Sequence, residues 1–129
     1  MRILLDTHCW LWLQATPERI SAPTRDLLAD PANQIVLSAA SAWEIAIKYA
    51  LGKLPLPRAP HLYVPSRMRQ TGTTPLAIEP AHALRVAMLP PHHADPFDRL
   101  LIAQAQIEKM AVLTVDAQFK SYDVRLLDP

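Results

Sequence analysis

The chain has 129 residues, half of them apolar, and a formal net charge of +1. That length suits one domain, residues 1–129, with a substantial core. No apolar run reaches the ~18 residues needed to cross a bilayer, and a single cysteine, Cys9, excludes an intramolecular disulfide and a thiolate metal cluster. The amino terminus carries one Arg and a short apolar run broken by Asp6, so it does not read as a signal peptide, and a cytoplasmic protein is expected.

In chain order, β-like runs alternate with helix-like ones. Arg2–Leu5 reads as a strand and Thr7–Gln14 as a helix. Ser21–Ala29 is a second helix, with Ser21 as N-cap and Pro23 in the first turn. Gln34–Ser38 is a strand, and Ala39–Leu51 a longer helix ended by Gly52. Leu54–Pro60 contains three prolines and is read as loop. His61–Arg69 is a weaker helix, Thr74–Ile78 a strand, and Pro80–Met88 a clearer helix stopped by Pro90 and Pro91. Asp95-Pro96-Phe97-Asp98 opens another helix that runs to about Met110, with Asp95 as N-cap and Pro96 at N1. Ala111–Val115 and Val124–Leu127 complete the strands. This alternation predicts an α/β domain with a mostly parallel sheet. Ile3-Leu4-Leu5 and Val112-Leu113, apolar on both faces, suit its centre.

Four carboxylates stand at the ends of apolar runs or inside them: Asp6, Glu44, Asp98 and Asp116. A buried carboxylate needs a partner, because unpaired burial costs several kcal/mol or more. In parallel sheets ligands gather at the carboxyl ends of the strands. Asp6 and Asp116 lie at two such ends, and Glu44 and Asp98 lie on helices that can reach the same edge. With few basic residues beside them, the expected partner is a divalent cation. Hard cations such as Mg²⁺ or Mn²⁺ take oxygen ligands, and acidic sites of this kind serve phosphodiester hydrolysis. Asp6, Asp98 and Asp116 are the first candidates for metal ligands, with Glu44 as a ligand or a positioner of water. Thr7 and Thr114 flank the acids and are candidates to orient them or to contact phosphate. Each acid also has a simpler reading. Asp6 and Asp116 can cap the helices that follow, Asp95 reads as an N-cap before a ligand, and Glu44 can pair with Lys48 one turn on.

Residues 45–78 hold Lys48, Lys53, Arg58, Arg67 and Arg69 and no acid. These, with Arg99, are candidates for contacting a polyanion such as RNA, or form a solvated basic face. His92 and His93 read mainly as surface loop, since two adjacent histidines cannot easily share one metal. Contact with phosphate or with water near a metal is their alternative. Cys9, among Trp10, Leu11 and Trp12, reads as a small core residue. Ser38 and Ser41 lack a Gly-x-Ser-x-Gly setting. With only Gly52 and Gly72, the chain has no phosphate-cradling loop, which argues against ATP and NAD chemistry. Position 8 is His, so the Asp-x-Asp of haloacid-dehalogenase phosphatases is missing. Trp10, Trp12, Trp43, Tyr49, Leu51 and Leu54 exceed what the early helices would bury, and predict that some of them form a groove for a partner helix or a dimer face, an ordinary core being the alternative for each one alone.

Four blocks in order carry a family resemblance: Ile3-Leu4-Leu5-Asp6-Thr7-His8; Ser41-Ala42-Trp43-Glu44-Ile45-Ala46-Ile47-Lys48; Asp95-Pro96-Phe97-Asp98-Arg99-Leu100-Leu101-Ile102-Ala103-Gln104-Ala105; and Leu113-Thr114-Val115-Asp116-Ala117-Gln118-Phe119. Together they resemble the PIN-domain ribonucleases, and within them the VapC-type toxins of toxin–antitoxin pairs. The resemblance implies a three-layer α/β/α domain and a Mg²⁺- or Mn²⁺-dependent endoribonuclease. It implies an acidic quartet at Asp6, Glu44, Asp98 and Asp116, a cognate antitoxin and a homodimer. Of Asp95 and Asp98, the resemblance favours Asp98, because Leu-Ile-Ala follows it at the family's spacing. The alternative is a non-catalytic PIN-like module that binds RNA or protein. Residues 53–93 carry no family motif.

Overall fold

Ile3, Leu4 and Leu5 are completely buried, which is what a strand covered on both faces requires. They belong to β1 (Arg2–Leu5) in the computed structural model, which describes residues 1–129. The other strands are β2 (Gln34–Ser38), β3 (Thr74–Leu76), β4 (Ala111–Leu113) and β5 (Leu126–Leu127). They form one sheet in the order β3-β2-β1-β4-β5, and every pairing is parallel. In register, Leu4 faces Val36 on one side and Val112 on the other.

Helices α1 (Thr7–Ala15), α2 (Ala22–Ala29), α3 (Ala39–Ala50), α4 (Pro60–Thr71), α5 (Pro80–Arg85) and α6 (Pro96–Glu108) connect the strands. Alternation along β1 sends Ile3 and Leu5 to one face and Leu4 to the other, and two cores result. Ile3 and Leu5 pack with Trp10, Ile20, Ile45 and Val64. Leu4 packs with Val36, Leu101, Ile102, Val112 and Phe119. A fully buried aliphatic side chain of this kind contributes ~1.5–3 kcal/mol. The result is the expected three-layer α/β/α arrangement, with a wholly rather than mostly parallel sheet. No helix is long and apolar enough to cross a membrane.

The differences from expectation have local causes. The three later strands are shorter than their apolar runs: the paired register stops at Leu76 in β3 and at Leu113 in β4, and starts only at Leu126 in β5. Pro80–Met88 divides into α5 and a 3₁₀ turn, Val86–Met88. Pro60, read as loop, begins α4, and Gly72 ends that helix at φ 63°, a left-handed cap that suits glycine. Pro65 lies inside α4. Trp10, a candidate for the groove or the core, is fully buried and donates its indole N–H to Thr73 at 3.1 Å.

The strand order reverses direction between β1 and β4. β1 leads through α1 and α2 to β2 on one side, while the chain returns through α6 to β4 on the other. The crevice at the carboxyl ends of these two strands is where a ligand has room to enter a parallel sheet. The Asp6 backbone N–H donates to the Leu113 carbonyl across it at 3.0 Å.

Candidate active site

Asp6 follows β1 directly and caps α1, its Oδ1 accepting from the Cys9 N–H at 2.7 Å. Its Oδ2 accepts from the Thr114 hydroxyl at 2.5 Å, so the end of β4 fixes the carboxylate of β1. Asp116, two residues beyond Thr114, caps the 3₁₀ turn Ala117–Ser121 through Oδ1, which accepts from the Gln118 N–H at 2.9 Å. For both acids the capping role and the site role are therefore compatible: the cap occupies one oxygen and orients the group.

Glu44 projects from α3 and is buried, although that helix is otherwise mainly apolar. The Thr7 hydroxyl donates to Oε1 at 2.6 Å, and the Lys48 ammonium to Oε2 at 2.7 Å. Hydrogen bonding to Glu44 holds the Lys48 ammonium above its ordinary range. Asp95 caps α6 through Oδ1, which accepts from the N–H groups of Phe97 and Asp98. Asp98 follows in the first turn, where the helix dipole favours negative charge. Burial nonetheless pushes its carboxyl up to about 7, and the charges of Asp95, Glu44 and Asp6 add to this while His93 opposes it.

All four predicted acids line one concavity, together with Asp95, Lys48, His8, Trp12 and Val115. Five carboxylates thus face a single ammonium there. The supporting residues also fall into place: Thr7 and Thr114 donate to the acids. Oxygens of Asp98 and Asp116 and a ring nitrogen of His93 lie within 4.8 Å of one another. This donor set is dominated by hard oxygens, and a carboxyl held at about 7 gains from a cation that displaces its proton. The residues present therefore fit a hard divalent ion. Asp98 and Asp116 would hold it, with Asp6 and Glu44 on the adjoining wall.

His93, read mainly as surface loop, is a correction. Its ring is buried, and Nε2 lies 2.8 Å from Asp116 Oδ2 and 3.1 Å from Asp98 Oδ2. Its neighbour His92 is exposed. The guanidinium of Arg99, a candidate for RNA contact, donates to the carbonyls of Val86, Leu89, Pro90 and His93 and to the Tyr122 hydroxyl. That fork ties the loop before α6 to the body of the domain. Arg67 binds Gln14 and Gln70, whereas Lys53, Arg58 and Arg69 are exposed.

Cys9 lies in the core, where burial, and then Asp6, push its thiol far above the ordinary range. Ser38 caps α3 and donates to Gln104. Neither has the setting of a nucleophile. Apolar surface remains beside the site: Trp12, Leu54 and Leu56 line a groove with His8 and Tyr63. Trp43, 58% exposed, meets Phe97 edge to face at 5.2 Å between ring centres.

The family model of the PIN domain matches residues 3–125. Ribonuclease VapC16 of Mycobacterium tuberculosis (strain ATCC 25618 / H37Rv) is 59% identical over 59 residues. That stretch is 46% of this chain and 42% of the relative, less than half of its length. Among solved structures, VapBC2 from Rickettsia felis, bound to a DNA fragment from its promoter, superposes with a TM-score of 0.76 at 16% identity, over 99% of this chain and 98% of that one. DNA-bound VapBC from Salmonella typhimurium gives 0.70 at 17% identity, over 99% and 98%. At these identities the likeness is one of fold.

Proposed function

The chain belongs to the PIN domain family, and from that premise we propose that it is a Mg²⁺- or Mn²⁺-dependent endoribonuclease, the toxin of a toxin–antitoxin pair. The observation that carries this reading is the pocket itself, where five carboxylates converge with one ammonium at the crevice between β1 and β4. Capping accounts for Asp6, Asp95 and Asp116 one by one but not for the convergence of five acids, and a bound cation would relieve their repulsion and offer a site to an anionic phosphodiester. When bound, Mg²⁺ or Mn²⁺ supplies Lewis acidity toward a phosphoryl oxygen and activates water.

The protein groups divide the remaining work. Asp98 and Asp116 would hold the cation, and a bound cation would favour the ionised form of Asp98. Asp6, fixed by Cys9 and Thr114, and Glu44, fixed by Thr7 and Lys48, define the wall against which the scissile phosphate and the attacking water are placed. Lys48 stands beside Glu44 to meet a phosphate oxygen, and exposed Lys53, Arg58 and Arg69 offer charge to flanking RNA.

The relative is named a ribonuclease, and one structural neighbour is a toxin–antitoxin complex from Klebsiella pneumoniae. These support RNA as substrate and an antitoxin as partner here. The groove at Trp12, Leu54 and Leu56 would take an apolar antitoxin segment, and the apolar concavity lined by Trp43, Val86, Phe97 and Leu100 would serve homodimerisation. The purified protein is expected to cut RNA with Mg²⁺ or Mn²⁺, and to lose that activity with EDTA or on Asp6→Asn. Cleavage that survives both treatments would overturn the metal mechanism. RNA binding without cleavage, across several metals and RNAs, would make this a binding module instead.

A further inference from the structure

His93 is buried against two of the acids that line the pocket, and the acidic quartet leaves it without a role. On one side of its ring, Nε2 reaches Asp116 Oδ2 at 2.8 Å and Asp98 Oδ2 at 3.1 Å. On the other, the Asp95 backbone N–H donates to Nδ1 at 3.1 Å. An N–H can donate only to a lone pair, so Nδ1 carries no hydrogen, and in the neutral ring the hydrogen sits on Nε2.

The loop that carries the ring is held to this orientation. The His93 N–H donates to the Tyr122 hydroxyl at 2.8 Å, and that hydroxyl donates to the Pro90 carbonyl at 2.9 Å. Arg99 reaches the carbonyls on either side, and Phe119 packs against the ring edge to face. A ring so fixed offers the pocket a donor and not a lone pair.

We propose that His93 is a positioning residue of the metal site rather than a metal ligand: its Nε2–H bridges Asp98 and Asp116, brings their Oδ2 atoms together, and leaves their remaining lone pairs facing a shared divalent cation. The inference rests on the proposed cation site. Ligation through Nε2 would require the hydrogen to move to Nδ1. That hydrogen would then oppose the Asp95 N–H, and the cap of α6 would lose its alignment with the loop. Groups that orient a metal's carboxylate ligands by hydrogen bonding contribute about ten- to hundredfold to metal affinity.

Two measurements on the full chain test this. Long-range ¹H–¹⁵N correlation spectra of the histidine rings, recorded without and with saturating Mg²⁺, should show His93 with a protonated Nε2 and a bare Nδ1 in both. Transfer of the hydrogen to Nδ1 when Mg²⁺ is added would overturn the proposal, because it marks ligation. Mn²⁺ binding followed by electron paramagnetic resonance should weaken about ten- to hundredfold in His93→Leu. In His93→Gln, whose amide N–H reaches the same acids, it should recover to within about threefold of the wild type. Unchanged affinity in His93→Leu would remove His93 from the site while leaving the cation reading intact. Absence of Mn²⁺ binding by the wild type would overturn both. The spectra need no substitution, so they decide the question even if the variants fold poorly.

Discussion

On one wall of the pocket, Asp6 and Glu44 are buried, and each of their carboxylate oxygens has a partner from Cys9, Thr114, Thr7 or Lys48. On the other, the Asp98 and Asp116 side chains are 21% and 31% exposed and share the single ring of His93. The first wall is satisfied by the protein, and it holds its shape without further help. The second keeps charge that the protein does not balance, and burial with neighbouring carboxylates pushes Asp98 up to about 7. The proposed cation would therefore bind at the second wall, while the first would give the proposed substrate a fixed reference.

The largest effect that separates the walls is expected from Asp98→Asn or Asp116→Asn. Each should lower the rate of RNA cleavage by about a thousandfold, while Asp98→Asn raises the stability of the metal-free protein near neutral pH. Urea unfolding beside a cleavage assay checks this, and a loss of stability in Asp98→Asn would break the distinction.

The pH dependence should follow from the same residue. The Asp98 carboxyl rises from 3.8 to about 7 on folding, so between those values the folded protein keeps a proton that the unfolded chain has released. Stability without metal should then fall as pH rises through this window, by roughly 4 kcal/mol from this group. Saturating Mg²⁺ should flatten the slope. Unfolding at about pH 5 and about pH 8, with and without Mg²⁺, measures both.

Smaller effects belong to the first wall. Thr114→Val and Thr7→Val each remove a hydroxyl that donates to a buried carboxylate. The expected cost is ~1–3 kcal/mol of stability, with about a tenfold loss of cleavage rate, so stability and activity fall together. Lys48→Met should likewise cost ~1–3 kcal/mol, because Lys48 is 38% exposed but its partner Glu44 is buried and loses its charged donor.

Much of this was legible in the sequence, for reasons that differ between residues. Ile3-Leu4-Leu5 and Gln34–Ser38 have the continuous apolar character of central strands, and their bounds match β1 and β2. Asp95-Pro96 fixed the start of α6 through cap chemistry, which is local. The acids stood out because each interrupts an apolar run, and all of them line the pocket. His93 did not stand out, because nothing within a few residues of it shows that its loop folds inward. Its burial depends on Tyr122 and Arg99, which lie 29 and 6 positions away. Arg99 itself shows the same limit, since charge alone does not distinguish a side chain facing RNA from one spent on backbone carbonyls. For Trp10, groove and core were both open, and the partner that decides for the core, Thr73, lies 63 positions on.

The central claim is that Asp98 and its neighbours form an anionic site completed by a divalent cation. Calorimetric titration of Mn²⁺ into the RNA-free protein at about pH 6.5, in two buffers of different ionisation enthalpy, addresses it most directly. Binding that releases protons in the wild type, and that is lost in Asp98→Asn, is the predicted result. Equal affinity in both proteins with no proton released would contradict it.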